Sequence, residues 1–163
     1  MKTFVPLEDV ESVLPILSEI AIWGGVTDSQ RQKIFAKLEI ATFKQGEYVF
    51  RKGDEPSHIY IVKSGKIGLM IADKEVTLEK KVLESGECFG EASLMAMQRH
   101  TTNAVALEDS QVMVLSRQSL LQLRNEDIQL FALLMMNIAR ELARRLKLTD
   151  DILLYYIHTH KEG

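Results

Sequence analysis

Between Ile40 and Ser116 the chain is punctuated by turn-forming clusters that return roughly every ten residues, and this spacing limits the fold more than any other feature. The clusters are Lys44-Gln45-Gly46-Glu47, Lys52-Gly53-Asp54-Glu55-Pro56-Ser57, Lys63-Ser64-Gly65-Lys66, Ala72-Asp73-Lys74-Glu75 and Glu84-Ser85-Gly86-Glu87. The short segments between them are rich in Val, Ile, Phe and Tyr, whose side chains suit a pleated, half-buried surface. Strands this short, joined by turns this frequent, predict an antiparallel sandwich or roll. One interval breaks the rule. Glu91 to Met97 has small and apolar residues without alternation, which predicts one or two helical turns inside the roll.

The flanks follow a different period. From residue 1 to 39, Val10, Leu14, Leu17 and Ala21 recur at helical spacing, and Pro15 predicts a break or a new helix start. Thr27-Asp28-Ser29-Gln30 is a capping box, with Thr27 as N-cap of a helix that carries Ile34, Phe35 and Leu38 on one face. After Ser116, which can cap a short helix through Leu123, Asn125 can cap a second helix running to about Tyr156. Its stripe is Phe131, Met135, Ile138, Leu142, Leu146, Thr149, Leu153 and Tyr156, and Glu141 with Arg145 forms a pair four residues apart. A helix of ~30 residues extends ~45 Å, longer than a small roll covers. Its surplus apolar length is expected to bury against a second copy of the chain, the alternative being that the helix bends back on its own roll. The fold class is therefore α+β, mainly β: N-terminal helices over 1–39, a roll over 40–116, and C-terminal helices over 117–163, in one domain.

Composition matters mainly for what it excludes. The formal net charge of −3 supplies no general positive field for nucleic acid or an anionic surface. Cys88 is the sole cysteine, so intrachain disulfides, cysteine zinc sites and protein-only iron–sulfur cages are excluded. It is expected to be a small buried hydrophobe, since no cation lies beside it in sequence to favour a thiolate. The four histidines lack a helical metal-ligand spacing. No Ser-His-Asp order, metal motif or Walker-type loop is present, so an enzyme is not expected. The apolar runs are too short for a membrane helix, and the N-terminus lacks the pattern of a secretory leader. These features together predict a cytoplasmic protein.

Four segments, taken in order, resemble the cyclic nucleotide-binding domain, the module of the catabolite activator protein, protein kinase A regulatory subunits and cyclic-nucleotide-gated channels. They are Lys44 to Asp54 (KQGEYVFRKGD), Ile59 to Ile67 (IYIVKSGKI), Phe89 to Leu94 (FGEASL) and Ala106 to Ser116 (ALEDSQVMVLS). The resemblance covers roughly residues 16 to 145. It implies a jelly-roll whose insert, residues 86–102 here, is a phosphate-binding cassette. In such a cassette backbone amides face a cyclic phosphate, small residues allow close approach, and a carboxylate accepts the ribose 2′-hydroxyl. Carried onto this chain, Gly90 makes the close turn, Glu91 takes the ribose, and Ala92 and Ser93 are the small residues beside the phosphate.

The family pattern then continues Pro-Arg, a small residue, and Ala-Thr-Val. Counted from Phe89, the proline position holds Arg99, the arginine position holds His100, and Thr101 follows. Arg99 is the favoured cationic anchor, because a guanidinium keeps its charge and forks to two oxygens. His100 is the alternative. Its ring would be only about one-quarter protonated at pH 7 without a ligand.

The resemblance thus implies a non-enzymatic sensor. It would bind cyclic AMP or cyclic GMP, carry no covalent cofactor, and signal by movement of its C-terminal helix. The competing expectation is a degenerate roll that serves as a protein–protein interaction or dimerisation module without nucleotide. No membrane contact is expected. Only six residues follow a helix ending near Ile157, too few for a recognition helix, so DNA binding by this chain alone is not expected either.

Overall fold

A computed structural model describes residues 2–161. Met1, Glu162 and Gly163, the outermost positions of the first and last expected segments, lie outside the described residues. Two antiparallel sheets face each other. One has the order β1-β2-β9-β4-β7, the other β3-β8-β5-β6. The strands are β1 (Val5–Pro6), β2 (Glu39–Phe43), β3 (Tyr48–Phe50), β4 (His58–Ser64), β5 (Ile67–Ala72), β6 (Thr77–Leu83), β7 (Cys88–Phe89), β8 (Asn103–Ala106) and β9 (Ser110–Ser116). Helices α1 (Asp28–Phe35), α3 (Arg117–Glu126) and α4 (Ile128–His160) flank this roll, and α2 (Glu91–Ala96) interrupts it. The expected class, a mainly β antiparallel roll with flanking helices and a long C-terminal helix, is what forms.

The central strands explain why their sequence is apolar without alternation. Tyr60 and Val62 of β4 point into the roll, with Val112 and Val114 of β9, Phe43, Phe50 and Phe89. Ile59 and Ile61, with Met113 and Leu115, point the other way into a second core shared with the helices. A strand buried on both faces has no solvent side to make polar. The two cores therefore share one wall, the β4–β9 pair, in register from His58↔Ser116 to Val62↔Val112.

Local signals hold at two helix starts. Thr27 accepts from the Gln30 amide while the Gln30 side chain accepts from the Thr27 amide, closing the capping box. Ser116 caps α3 by accepting from the Ser119 amide at 3.0 Å. Other expectations need correcting. Pro15 does not break its segment; a 3-10 helix, Glu11–Glu19, runs through it. The fixed φ of proline matches that geometry. Asn125 stays inside α3, and α4 is capped by Asp127, whose carboxylate accepts from Leu130 N at 3.0 Å and pairs with Lys33 at 2.8 Å. Helix α4 continues to His160 rather than Tyr156. Its buried residues are Leu130, Leu134, Asn137 and Ile138, so the covered face is rotated from the expected stripe, with Phe131 and Met135 at its edge.

Candidate cyclic-nucleotide cassette

The cassette hangs from β7. Phe89 pairs with Tyr60 and Cys88 with Ile61 of β4, so the chain enters the insert from the wall between the two cores. Gly90 then turns it with φ of +78°. A Cβ there would lie 2.7 Å from the Tyr60 ring and 3.2 Å from the His58 carbonyl, so both the dihedral and the close approach require glycine. Helix α2 follows at once. Leu94 is buried beneath it, Ser93 half-buried, and Ala92 exposed. Met95 and Met97 face solvent, which removes them from the core packing their apolarity suggests.

Glu91 is wholly buried at the first position of α2. Its Oε1 accepts from Nη1 of Arg145, midway along α4, and Nη2 of the same guanidinium donates to the Cys88 carbonyl. Sequence spacing pairs Arg145 with Glu141. In the folded chain Glu141 pairs instead with Arg144 at 3.1 Å, which leaves Arg145 to cross to the cassette. Nothing local signals this contact, because its partner lies 54 residues away. The pair ties the ends of the fold together: one oxygen of a buried carboxylate is held by the C-terminal helix. The other, Glu91 Oε2, and the Arg145 Nε are buried with no hydrogen-bond partner. Such a site has spare capacity for a hydroxyl that could donate to the free oxygen.

Cys88 lies beside this pair, buried, and desolvation together with the Glu91 charge pushes its thiol up to about 12. It is the inert, apolar cysteine expected from sequence, although a cation does reach it through the fold.

The far end of the cassette is arranged differently from its start. Arg99 is exposed, its Nη1 donating to the Gly53 carbonyl at 2.9 Å and its Nη2 pairing with Glu55 at 2.5 Å. His100 is only 3% exposed and lies flat on Phe50, with ring centroids 3.6 Å apart and planes 8° from parallel. Burial pushes its imidazole below the ordinary value, with Asp54 opposing that shift. Phe50 in turn meets Tyr60 and Phe89, and His58 lies beyond Tyr60, so His100 closes one end of an aromatic cluster that runs under the cassette. Thr101 is exposed beside it. The structure therefore brings Gly90, Glu91 and Ser93 together with Arg145 at one end. It seats His100 inside at the other and turns Arg99 outward. Among the described residues no group of three or more His, Cys, Asp or Glu side chains is placed to hold a metal. No described helix is long and apolar enough to cross a membrane.

Comparison with known proteins agrees with this architecture. The profile of the cyclic nucleotide-binding domain matches residues 40–127. The cyclic AMP receptor protein of Thermus thermophilus is 37% identical over 132 residues, spanning 79% of this chain and 58% of that protein. The cyclic nucleotide-gated channel alpha-4 of Mus musculus is 34% identical over 119 residues, spanning 69% of this chain and 20% of the channel. The chain thus spans between a fifth and three-fifths of these two relatives. Among solved structures, the Thermus thermophilus catabolite activator protein superposes with a TM-score of 0.73 at 29% identity, covering 82% of this chain and 61% of that one. A cyclic nucleotide-binding domain from Methylobacillus flagellatus gives 0.78 at 18% identity, covering 88% and 82%, a likeness of fold alone. With that match and the roll, cassette and long helix in place, the chain belongs to the cyclic nucleotide-binding domain family.

Proposed function

We propose that this chain is a non-enzymatic sensor that binds a cyclic purine nucleotide, cyclic AMP or cyclic GMP, in residues 86–102 and signals through α4. The observation that carries the reading is Glu91: a fully buried carboxylate with one oxygen held by α4 and the other free. A ribose 2′-hydroxyl donating to Glu91 Oε2 fills the free position, with Gly90, Ala92 and Ser93 offering backbone to the phosphate and Thr101 close behind. A hydroxyl on Oε2 draws on the carboxylate charge that Oε1 shares with Arg145, so nucleotide alters the strength of that pair. The hold of the cassette on α4 then depends on occupancy, and the ligand selects the helix position it favours. A homodimer through the exposed end of α4 and a cytoplasmic setting belong to the same proposal.

Calorimetric titration with each nucleotide tests it. The expected result is saturable heat and a raised melting temperature; no heat and no stabilisation by either at millimolar concentration sinks it. A second reading, the degenerate roll used as an interaction module, is favoured by the outward guanidinium of Arg99 and the ring of His100 packed on Phe50. It predicts a persistent dimer or helix-mediated complex that nucleotide leaves unchanged.

A further inference from the structure

A cyclic phosphate carries one negative charge, and a charge drawn into a protein interior must be matched there. The buried polar and charged side chains among the described residues are Glu91, His100, Ser110 and Asn137. Ser110 is held by the backbone of Lys66 and Glu108, and Asn137 lies in the helical layer against Ile22 and Gly24. Glu91 is an anion already matched by Arg145. Of the two cationic residues in 86–102, Arg99 is bound outside to Gly53 and Glu55. The cassette's own remaining source of positive charge is a neutral imidazole that a proton can ionise.

His100 is held in place for that role. Its amide donates to the Asp54 carbonyl at 3.0 Å and its carbonyl accepts from Gly53 N at 2.8 Å, which pins the backbone to the turn after β3. From β3, Phe50 offers an uncharged ring face, and an aromatic face attracts an imidazolium. Behind Phe50 stand Tyr60 and Phe89, with His58 past Tyr60. From the turn, the Asp54 carboxylate favours charge on the ring, while Glu55 and Arg99 offset one another. We propose that cyclic nucleotide binding by this chain is coupled to proton uptake by His100, making the cassette an acid-favoured anion site in which an imidazolium stands where the family places a guanidinium. The proposal rests on the nucleotide-binding reading above.

The sign follows from linkage. Without ligand, burial holds the imidazole below its ordinary value; a phosphate beside it raises that value. Affinity is level below the free-state value, falls by up to about tenfold per pH unit between the two values, and levels off again above the bound-state value. Titration of the full chain with cyclic AMP and cyclic GMP at about pH 5.5 to 8, in buffers of different ionisation enthalpy, reads this directly. The expected result is uptake approaching one proton per nucleotide near neutrality. His100→Asn should lose that uptake and bind roughly ten- to a hundredfold more weakly at about pH 6. His100→Arg should bind without pH dependence across the range. Binding with no proton uptake, or uptake that persists in His100→Asn, overturns the inference alone; binding by His100→Arg but not by the wild type overturns both the inference and the nucleotide reading of the native chain. No binding by either at any pH overturns the nucleotide reading as well. Should the variants misfold, NMR titration of the His100 ring in the wild-type chain, free and nucleotide-saturated, decides: a raised midpoint supports the coupling and an unmoved one overturns it.

Discussion

Glu91 and Arg145 show how much one contact can organise. A carboxylate with no solvent exposure is tolerable only because a guanidinium meets it, and that guanidinium belongs to the helix proposed to report on the site. Removing one partner of a buried pair costs far more than the pair contributes, because the survivor stays desolvated. Arg145→Met should therefore lower unfolding free energy by about 3 kcal/mol, measured by urea denaturation. Glu91→Gln should weaken nucleotide binding roughly ten- to a hundredfold in calorimetry, since it replaces a charged acceptor with a neutral one. Cys88 makes a simpler demand. With its thiol pushed up to about 12 and its side chain buried, it should ignore a disulfide reagent in the folded protein and react stoichiometrically in denaturant. The histidines set the pH response of the unliganded fold. Burial lowers both His58 and His100, so the unfolded chain binds more protons than the native one. Stability is then full above their ordinary value of about 6.5 and declines as pH falls through the folded values. Melting temperatures should drop on going from neutral pH to about pH 5, and the stabilisation added by nucleotide should grow over the same range.

At the scale of elements, α4 is attached to the body by two devices with different roles. Near its start, Asn137 donates to the carbonyls of Ile22 at 3.0 Å and Gly24 at 2.8 Å, joining the helix to the bend that follows the second 3-10 turn, Ala21–Trp23. Two turns later, Arg145 joins it to the cassette. The first contact pairs neutral groups and lies away from the site; the second is ionic and shares its acceptor with the proposed ligand. This arrangement suits a helix that pivots about a fixed base. Asn137→Leu should remove the base. It leaves two carbonyls without their donor, at a cost of roughly 2–4 kcal/mol in chemical denaturation, with nucleotide affinity per folded molecule little changed.

The whole molecule is two cores on either side of one wall, with a 33-residue helix of about 50 Å leaving it. Past Arg145 the helix is exposed throughout, and Leu146, Ile152, Leu153, Leu154, Tyr155 and Tyr156 are each more than half exposed. Leu146, Thr149, Leu153 and Tyr156 follow the alternating three-and-four spacing of a two-helix seam. Leu153→Ser with Tyr156→Ser should convert a dimer to a monomer in light scattering while leaving thermal stability of the roll nearly unchanged, because neither side chain packs on its own domain. A wild-type chain that is monomeric at all concentrations would remove the dimer from the proposal.

Features that depend on neighbours a few residues apart are legible in the chain alone. Glycine turns at regular spacing specified the roll, Thr27 with Gln30 specified a helix start, and the FGEASL segment specified the cassette and its short helix. These are short-range effects of dihedral preference and capping, so they are legible in one dimension. What needed the tertiary structure was every choice among equivalent local partners. Glu141 can pair with Arg144 or Arg145, and α4 can be capped by Asn125 or Asp127; packing chose, because Arg145 faces Glu91 and Asp127 faces Lys33 only when distant elements meet. Arg99 and His100 are adjacent candidates for the anchor, and the sequence alone favours the permanently charged Arg99. The fold separated them, since Arg99 turns outward to Gly53 and Glu55 while His100 enters the apolar interior, which accepts a neutral ring on Phe50 and excludes a permanent charge.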